Sequence, residues 1–264
     1  MTEQAHVGAP VLEAENLSIQ FGGLKALQEL SFSIPEKTVF SIIGPNGAGK
    51  TTFFNIVTGI YRPTGGDVRL YGESIVGLEP SRIVERGVCR TFQNIRLFQN
   101  LTVLENVMIG RQLHERTGLG DILLRTQRFR AQEAETLDRA AEILDYVGIL
   151  DDANALAKNL PYGRQRRLEI ARALATAPGL LLLDEPTAGM NPSESEEMVQ
   201  LFQRICEERG VCVLMIEHDM KVVMGVSQRI LVLNFGRQIA LGSPREVLEN
   251  EEVITAYLGH QKVM

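Results

Sequence analysis

Gly44-Pro45-Asn46-Gly47-Ala48-Gly49-Lys50-Thr51 follows directly on the apolar run Val39-Phe40-Ser41-Ile42-Ile43. A short apolar run of this kind reads as a buried strand, and Lys50 to Val57 reads as a helix that stops at Gly59. Strand, glycine loop and helix in that order make a phosphate-binding loop. Gly44, Gly47 and Gly49 let backbone N–H groups approach phosphate oxygens and supply positive φ where the turn needs it. Lys50 can reach the β- and γ-phosphates of a nucleoside triphosphate, and the Thr51 hydroxyl can ligate magnesium. The helix N-terminus aims its N–H groups and the positive end of its dipole at the same place. The bland reading, a glycine turn with an incidental Lys-Thr, leaves the strand–loop–helix order unexplained.

A second half of the site comes much later, as Leu180-Leu181-Leu182-Leu183-Asp184-Glu185. It reads as a buried strand ending in two acids, and Pro186 forces a sharp exit at the carboxyl end of a sheet. Asp184 is the candidate to hold magnesium, mostly through water, and Glu185 to orient or deprotonate an attacking water. The strand Val211–Ile216 runs into Glu217-His218-Asp219, where His218 could hydrogen-bond a γ-phosphate. Gln93 lies in Arg90-Thr91-Phe92-Gln93-Asn94. Taken alone, neither His218 nor Gln93 is distinguishable from an ordinary surface side chain.

The 264 residues suffice for one large α/β domain with a subdomain, and 44% hydrophobic residues can bury a substantial core. A net charge of −6 argues against a general nucleic-acid binder. Cys89, Cys206 and Cys212 are odd in number and scattered, which argues against a disulfide scaffold or metal site and fits a reducing cytosol. Met1 to Pro10 has no apolar signal region, and no apolar run is long enough to span a bilayer. Val11–Phe21, Leu27–Ile34 and Thr38–Ile43 read as strands, as does Asp67–Tyr71 after the turn Arg62–Gly66. Thr102 to Arg172 is helical in pattern, with Leu137, Ala140, Ala141, Leu144 and Val147 on one face. Leu113–Arg130 lacks a clean period and reads as a loop or a poorly packed helix. Strands and helices then alternate: Leu180–Asp184, helix Pro192–Arg209, Val211–Glu217, helix Met220–Val226, Arg229–Asn234 and Gln238–Leu241. Such alternation implies a mainly parallel sheet covered by helices. Pro244–Leu258 reads as two short helices.

Together these motifs resemble the nucleotide-binding subunits of ABC transporters over nearly the whole chain, Leu12 to Leu258. The resemblance implies a P-loop NTPase (RecA-like) α/β core with an N-terminal antiparallel β subdomain and an inserted α-helical subdomain. The core would comprise residues 1–90 and 158–264, with a C-terminal helical tail at 244–264, and the insertion 91–157 would contact a membrane partner. It implies that ATP and Mg2+ bind, with Phe21 stacking on adenine and Gly44, Pro45, Asn46, Gly47, Ala48, Gly49, Lys50, Thr51 and Thr52 forming the phosphate cradle. Gln93 would sense magnesium beside Thr51 and Asp184, and Glu185, His218 and Lys50 would act in hydrolysis. Phe92, Ile95, Leu97, Phe98 and Leu101 make an apolar-rich stretch that either packs the insertion or receives the membrane partner.

Two departures stand out. The family's Leu-Ser-Gly-Gly-Gln signature is here Leu160-Pro161-Tyr162-Gly163-Arg164, so the serine hydroxyl expected to touch the γ-phosphate on a second chain is absent. Proline is tolerated in a first helical turn, and Gly163 and Arg164 can still present N–H groups. Arg164, Arg166 and Arg167 near that helix start read equally well as a solvated basic face or as phosphate ligands. Ala188-Gly189-Met190-Asn191 replaces the usual Ser-Ala-Leu-Asp.

Within the family, Arg90–Phe98, the long insert after Gly110, Gln165–Arg172, Glu217–Lys221 and Val253–Gly259 most resemble ATPases of branched-chain amino-acid importers. That implies a peripheral subunit on the cytoplasmic face of the plasma membrane. It would pair with a second ATPase chain, as a heterodimer or homodimer, and with two permease subunits served by a substrate-binding protein, with no nucleic acid. Other amino-acid or amide importers and the lipopolysaccharide-export ATPase share some of these marks. A non-transport ABC ATPase and a subunit that binds ATP without hydrolysing it are the competing readings.

Overall fold

The computed structural model describes residues 10–114, 121 and 126–258. The chain forms two compact units. One runs up to Val88 and resumes at Gly179, and the other is Cys89–Pro178.

The first unit starts with two long antiparallel strands, β1 (Pro10–Phe21) and β2 (Leu24–Pro35), paired from Pro10↔Pro35 to Phe21↔Leu24. Alternation along both is partial because bulges interrupt the register. After β3 (Val39–Ile43) and α1 (Lys50–Val57) come β4 (Gly65–Leu70), the two-residue β5 (Glu73–Ser74) and α2 (Pro80–Glu85). A four-stranded antiparallel sheet results, in the order β2-β1-β4-β5. Neither β5 nor α2 has a periodic pattern long enough to be read from sequence, and the same holds for β6 (Val88–Arg90), where the chain leaves this unit.

The chain returns with β7 (Leu180–Asp184), β8 (Cys212–Ile216), β9 (Arg229–Asn234) and β10 (Arg237–Gly242). The second sheet has the order β10-β9-β3-β8-β7-β6. β3 lies between β8 and β9, parallel to both, and β7 is parallel to β8, while β9 and β10 form an antiparallel hairpin. Every residue of β3, β7 and β8 is buried, as expected of strands covered on both faces. The parallel order puts the carboxyl ends of β3, β7 and β8 side by side, so the loops at Gly44, Glu185 and Glu217 leave from one edge.

Three rings join the layers on one face. Phe32 of β2 stacks on Phe40 of β3 at 5.6 Å and meets Phe53 of α1 at 5.3 Å. All three are buried within an apolar cluster that includes Leu12, Leu17, Leu182 and Leu214. On the other face, Ile43, Ile230 and Val232 pack against Val223, Val247 and Val253. These come from α7 (Met220–Val226), α8 (Pro244–Leu248) and α9 (Glu251–Leu258). The intervening helix, α6 (Pro192–Arg209), starts at a capping box between Asn191 and Glu194 and ends at Gly210 in the left-handed region.

Among the described residues, the longer helices of the second unit are α3 (Val103–Arg111), α4 (Gln127–Tyr146) and α5 (Tyr162–Leu174). Thr102 and Glu105 form a capping box for α3, and the buried Asn106 amide bonds the backbone of Phe98 and Thr102. The buried face of α4 is Thr136, Ala140, Ile143 and Leu144, followed by Val147. Leu137 is exposed and Ala141 only half-buried. The apolar spacing thus picked Ala140, Leu144 and Val147 of the buried face, and missed Thr136 and Ile143 in favour of Leu137 and Ala141. The unpatterned stretch Leu113–Arg130 lies mostly outside the described residues, but Gln127–Arg130 form the first turn of α4, capped by the Thr126 side chain on Phe129 N–H.

Cys206 and Cys212 are buried free thiols, and burial pushes them up to about 11 and about 12, respectively. Neither is a thiolate at neutral pH. The Phe32–Phe40–Phe53 cluster sets a stability test: Phe53→Ala should cost about 3–5 kcal/mol of unfolding free energy in chemical denaturation, the range for deleting a buried aromatic ring.

Candidate functional site

The loop Gly44–Lys50 connects β3 to α1 on the carboxyl side of the sheet. Gly44, Gly47 and Gly49 all have positive φ. Gly49 shows why no other residue serves: a Cβ there would lie 2.6 Å from the Ala26 carbonyl oxygen and 2.7 Å from Leu27 Cδ2. No side chain caps α1, and Phe53 is bonded to the Gly49 carbonyl at 2.9 Å. The N–H groups of the first turn are therefore unused by the helix itself. Ala48 N–H closes the loop on the Pro45 carbonyl at 3.1 Å.

Lys50 folds over this loop, its ammonium donating to the carbonyls of Gly44 at 2.6 Å and Pro45 at 3.0 Å. Burial holds its pKa below the usual lysine value, and the charges of Glu185 and Asp184 partly offset that. A half-buried cation and two acids from β7 are thus within electrostatic reach of one another.

Asp184 is buried at the end of β7. Glu185 follows with φ +48°, a left-handed conformation that a non-glycine residue adopts only at a cost of about 1–3 kcal/mol. Its N–H bonds to the Ile216 carbonyl at 2.9 Å, which fixes the turn, and its carboxylate lies 3.7 Å from His218 Nδ1.

A cleft of ≈ 630 Å3 joins these parts. It is lined by the loop from Asn46 to Thr52, by Glu185, and by Phe21 and Lys25 from the β1–β2 hairpin. Phe21 is partly exposed there, its ring held edge-on by Tyr61 at 5.2 Å. The cleft brings together an aromatic ring, a cradle of N–H groups, a cation and a carboxylate. Those are the groups that a nucleoside triphosphate and an attacking water call for.

The remaining candidates, Gln93 and Gly163, lie in the second unit. Gln93 is exposed, and its backbone carbonyl accepts from Arg166 Nη2 at 2.9 Å. Pro161 is the N-cap of α5 rather than part of its first turn, with φ −58° and ψ 154°. Gln165 makes the first helical bond, to the Pro161 carbonyl at 2.9 Å. The Gly163 and Arg164 N–H groups thus have no i−4 acceptor within the helix. Each of the three arginines makes contacts within its own unit, and Arg164 stays exposed. Arg166 is fully buried against Glu169 and the carbonyls of Phe92 and Gln93, Arg167 donates to the Val147 carbonyl at 2.8 Å, and Arg164 pairs with Asp152. In the apolar stretch, Phe98 is exposed with Arg172 over its ring, and Phe92 lies under Arg96 at 4.3 Å.

The description of the family "ABC transporter" matches residues 27–188. The chain belongs to the ABC transporter family. A second description, "Branched-chain amino acid ATP-binding cassette transporter", matches residues 237–263. The chain is 48% identical over 250 residues to the high-affinity branched-chain amino acid transport ATP-binding protein LivG of Salmonella typhimurium, covering 95% of this chain and 98% of that one. It is equally similar to BraF of Pseudomonas aeruginosa, described in the same words, over the same shares of the two chains. The ADP conformation of MJ1267, an ATP-binding cassette of an ABC transporter, superimposes with a TM-score of 0.82 at 30% identity, covering 95% of this chain and 99% of that one. As an ABC cassette, the protein binds ATP and hydrolyses it to power transport.

Three parts of this cassette escaped the sequence reading. Buried Glu217 accepts from Thr187 N–H at 3.0 Å, from Thr187 Oγ1 at 2.6 Å and from His218 N–H at 3.0 Å. It therefore ties the loop after Glu185 to the histidine. An acid just before His218 was visible, but nothing in sequence marked it as buried. Tyr257 of α9 hydrogen-bonds the Gly44 backbone, and burial raises its phenol above the usual tyrosine value. The turn Phe235-Gly236 reaches the cleft as well. The Glu217 network sets the next test. Glu217→Ala strands the Thr187 donors, which should cost about 1–3 kcal/mol in chemical denaturation, whereas no loss would mean that this loop is held by other contacts.

Proposed function

We propose that this ABC ATPase drives import of branched-chain amino acids from the cytoplasmic face of the plasma membrane. It would act as one of two ATPase chains bound to two permease subunits. The reading of the substrate rests on the two transport proteins that are 48% identical over nearly their whole length, and on the family match in the C-terminal segment. Among the described residues no helix is long and apolar enough to cross a membrane, so the transport path would belong to the partners.

The observation that carries the chemistry is Glu185, held at φ +48° with its carboxylate 3.7 Å from His218, in a cleft shared with Lys50 and the loop. Lys50 exchanges the Gly44 and Pro45 carbonyls for β- and γ-phosphate oxygens. Phe21 takes the adenine. The backbone N–H groups from Gly47 to Thr52 hold the phosphates. Glu185 orients the attacking water and takes its proton, and His218 bonds the γ-phosphate and holds Glu185 in place. Chemistry of this kind is mostly positioning and charge neutralisation.

Hard oxygen donors, a buried carboxylate at a strand end and a hydroxyl at a helix start, fit magnesium, which keeps several waters and takes few protein ligands. Thr51 and Asp184 would hold the ion, and it would neutralise phosphate charge. Gly163 and Arg164 N–H groups at the start of α5 would serve the γ-phosphate bound to the second ATPase chain in place of the missing serine hydroxyl. Closure would then favour ATP over ADP, since only ATP has the phosphate that these groups share.

Glu185→Gln tests this. Turnover should fall at least ~100-fold, the usual scale of a lost general base, while ATP still binds. Cells carrying only this variant should lose uptake of labelled leucine. Unchanged hydrolysis would overturn the role of Glu185, and lost hydrolysis with intact uptake would overturn the importer assignment.

A further inference from the structure

The hairpin between β9 and β10 pairs Asn234 with Arg237, leaving the two-residue loop Phe235-Gly236. Both loop residues have positive φ, +47° and +76°. Loops of this kind favour Asn-Gly, Asp-Gly or Gly-Gly, because a bulky side chain at positive φ is strained. Phe235 is nonetheless there, and it is 72% exposed. An apolar ring that is both strained and solvated has no stabilising role of its own.

The loop is also rigidly tied to the nucleotide site. Gly236 N–H donates to the Ala48 carbonyl of the phosphate loop at 3.0 Å, and Gln28 N–H donates to the Gly236 carbonyl at 2.8 Å. The Gln28 side-chain amide donates to the Phe235 carbonyl at 2.9 Å, and its oxygen accepts from Arg237 at 3.1 Å. A Cβ on Gly236 would lie 2.5 Å from the Ala26 carbonyl oxygen, so the two backbones are in tight contact. Held in this way, Phe235 lines the same cleft as Phe21, Lys25 and the loop Asn46–Thr52.

We propose that Phe235 is a second aromatic contact for the nucleobase, acting beside Phe21 to fix the base end of ATP. This rests on the assignment of the cleft as the nucleotide site and adds a specificity element from the opposite end of the chain. A purine has two faces and an edge that Phe21 cannot cover alone, and an exposed ring at the cleft wall gains by covering them. The strain at Phe235 then has a functional return, since a glycine or asparagine in the turn would fold more easily but contact nothing.

The test compares ATP with inorganic tripolyphosphate, which carries the phosphates without a base, by titration calorimetry on the full chain. Phe235→Gly suits the backbone at φ +47°, so it keeps the turn while deleting the ring. ATP affinity should fall about three- to ten-fold, with tripolyphosphate affinity unchanged, and Phe235→Trp should restore ATP binding. Unchanged ATP affinity in Phe235→Gly would overturn the proposal, as would an equal loss for both ligands, which would make the turn a support for the phosphate loop. If the wild-type chain binds tripolyphosphate but gains nothing from the base, the proposal fails while the phosphate site stands. If it binds neither, the assignment of the cleft itself fails.

Discussion

The close approach of the loop Gly44–Lys50 to neighbouring backbone is the constraint from which the rest of the site follows. A cradle of N–H groups works only if the peptide planes are fixed before the phosphate arrives. Here they are fixed by contacts that leave no room for a side chain. Gly49 sits against Ala26 and Leu27 of β2, and Gly236 sits against Ala26 and bonds Ala48. The β1–β2 hairpin, the phosphate loop and the β9–β10 turn are therefore packed backbone against backbone around the cleft. The antiparallel sheet, joined to β3 and α1 through Phe32, Phe40 and Phe53, does more than carry Phe21. It forms the wall against which the loop is shaped.

A second constraint is stored strain and buried charge on the catalytic side. Glu185 is kept at positive φ by its bond to Ile216, and His218 and Thr187 are joined through the buried Glu217 carboxylate. Such an arrangement is held by the parallel register of β7 and β8, in which Asp184 is opposite Ile216. The loop after Glu185 and the loop bearing His218 are thus joined through one carboxylate. In the second unit Arg166 does a similar task, since one buried guanidinium with Glu169 ties the carbonyls of Phe92 and Gln93 to α5. A buried ion pair of this kind is weak as a source of stability, but removing one partner would leave the other charge buried and uncompensated.

Much of this was legible in the sequence, for identifiable reasons. The helices Lys50–Val57, Pro192–Arg209 and Met220–Val226 and the strands Leu180–Asp184 and Arg229–Asn234 begin and end where read, because loops, prolines and caps punctuate them. Local patterns also marked Lys50, Asp184 and Glu185, since their chemistry is bound to a strand end or a helix start. Contacts made across the fold were not legible. The burial of Glu217, the reach of Tyr257 to Gly44 and the placement of Phe235 all depend on which strands become neighbours. The fate of Arg164, Arg166 and Arg167 is similar: a run of arginines reads as surface or ligand, and only the packing of α5 shows each one bonded within its own unit. For α4 the helical period was clear, but residues one position apart differ by about 100° around a helix, so Leu137 was taken for core while Thr136 is buried.

The central claim is that the loop binds ATP through its phosphates, with Lys50 as the neutralising cation. Titration of ATP into the wild-type and Lys50→Ala chains measures this directly. The account predicts tight binding to wild type and a loss of at least ~10-fold in the variant, about the worth of one charge-assisted hydrogen bond. Equal affinity in the two proteins would contradict it, because the one side-chain cation that the loop folds over itself would then have no part in holding the phosphates.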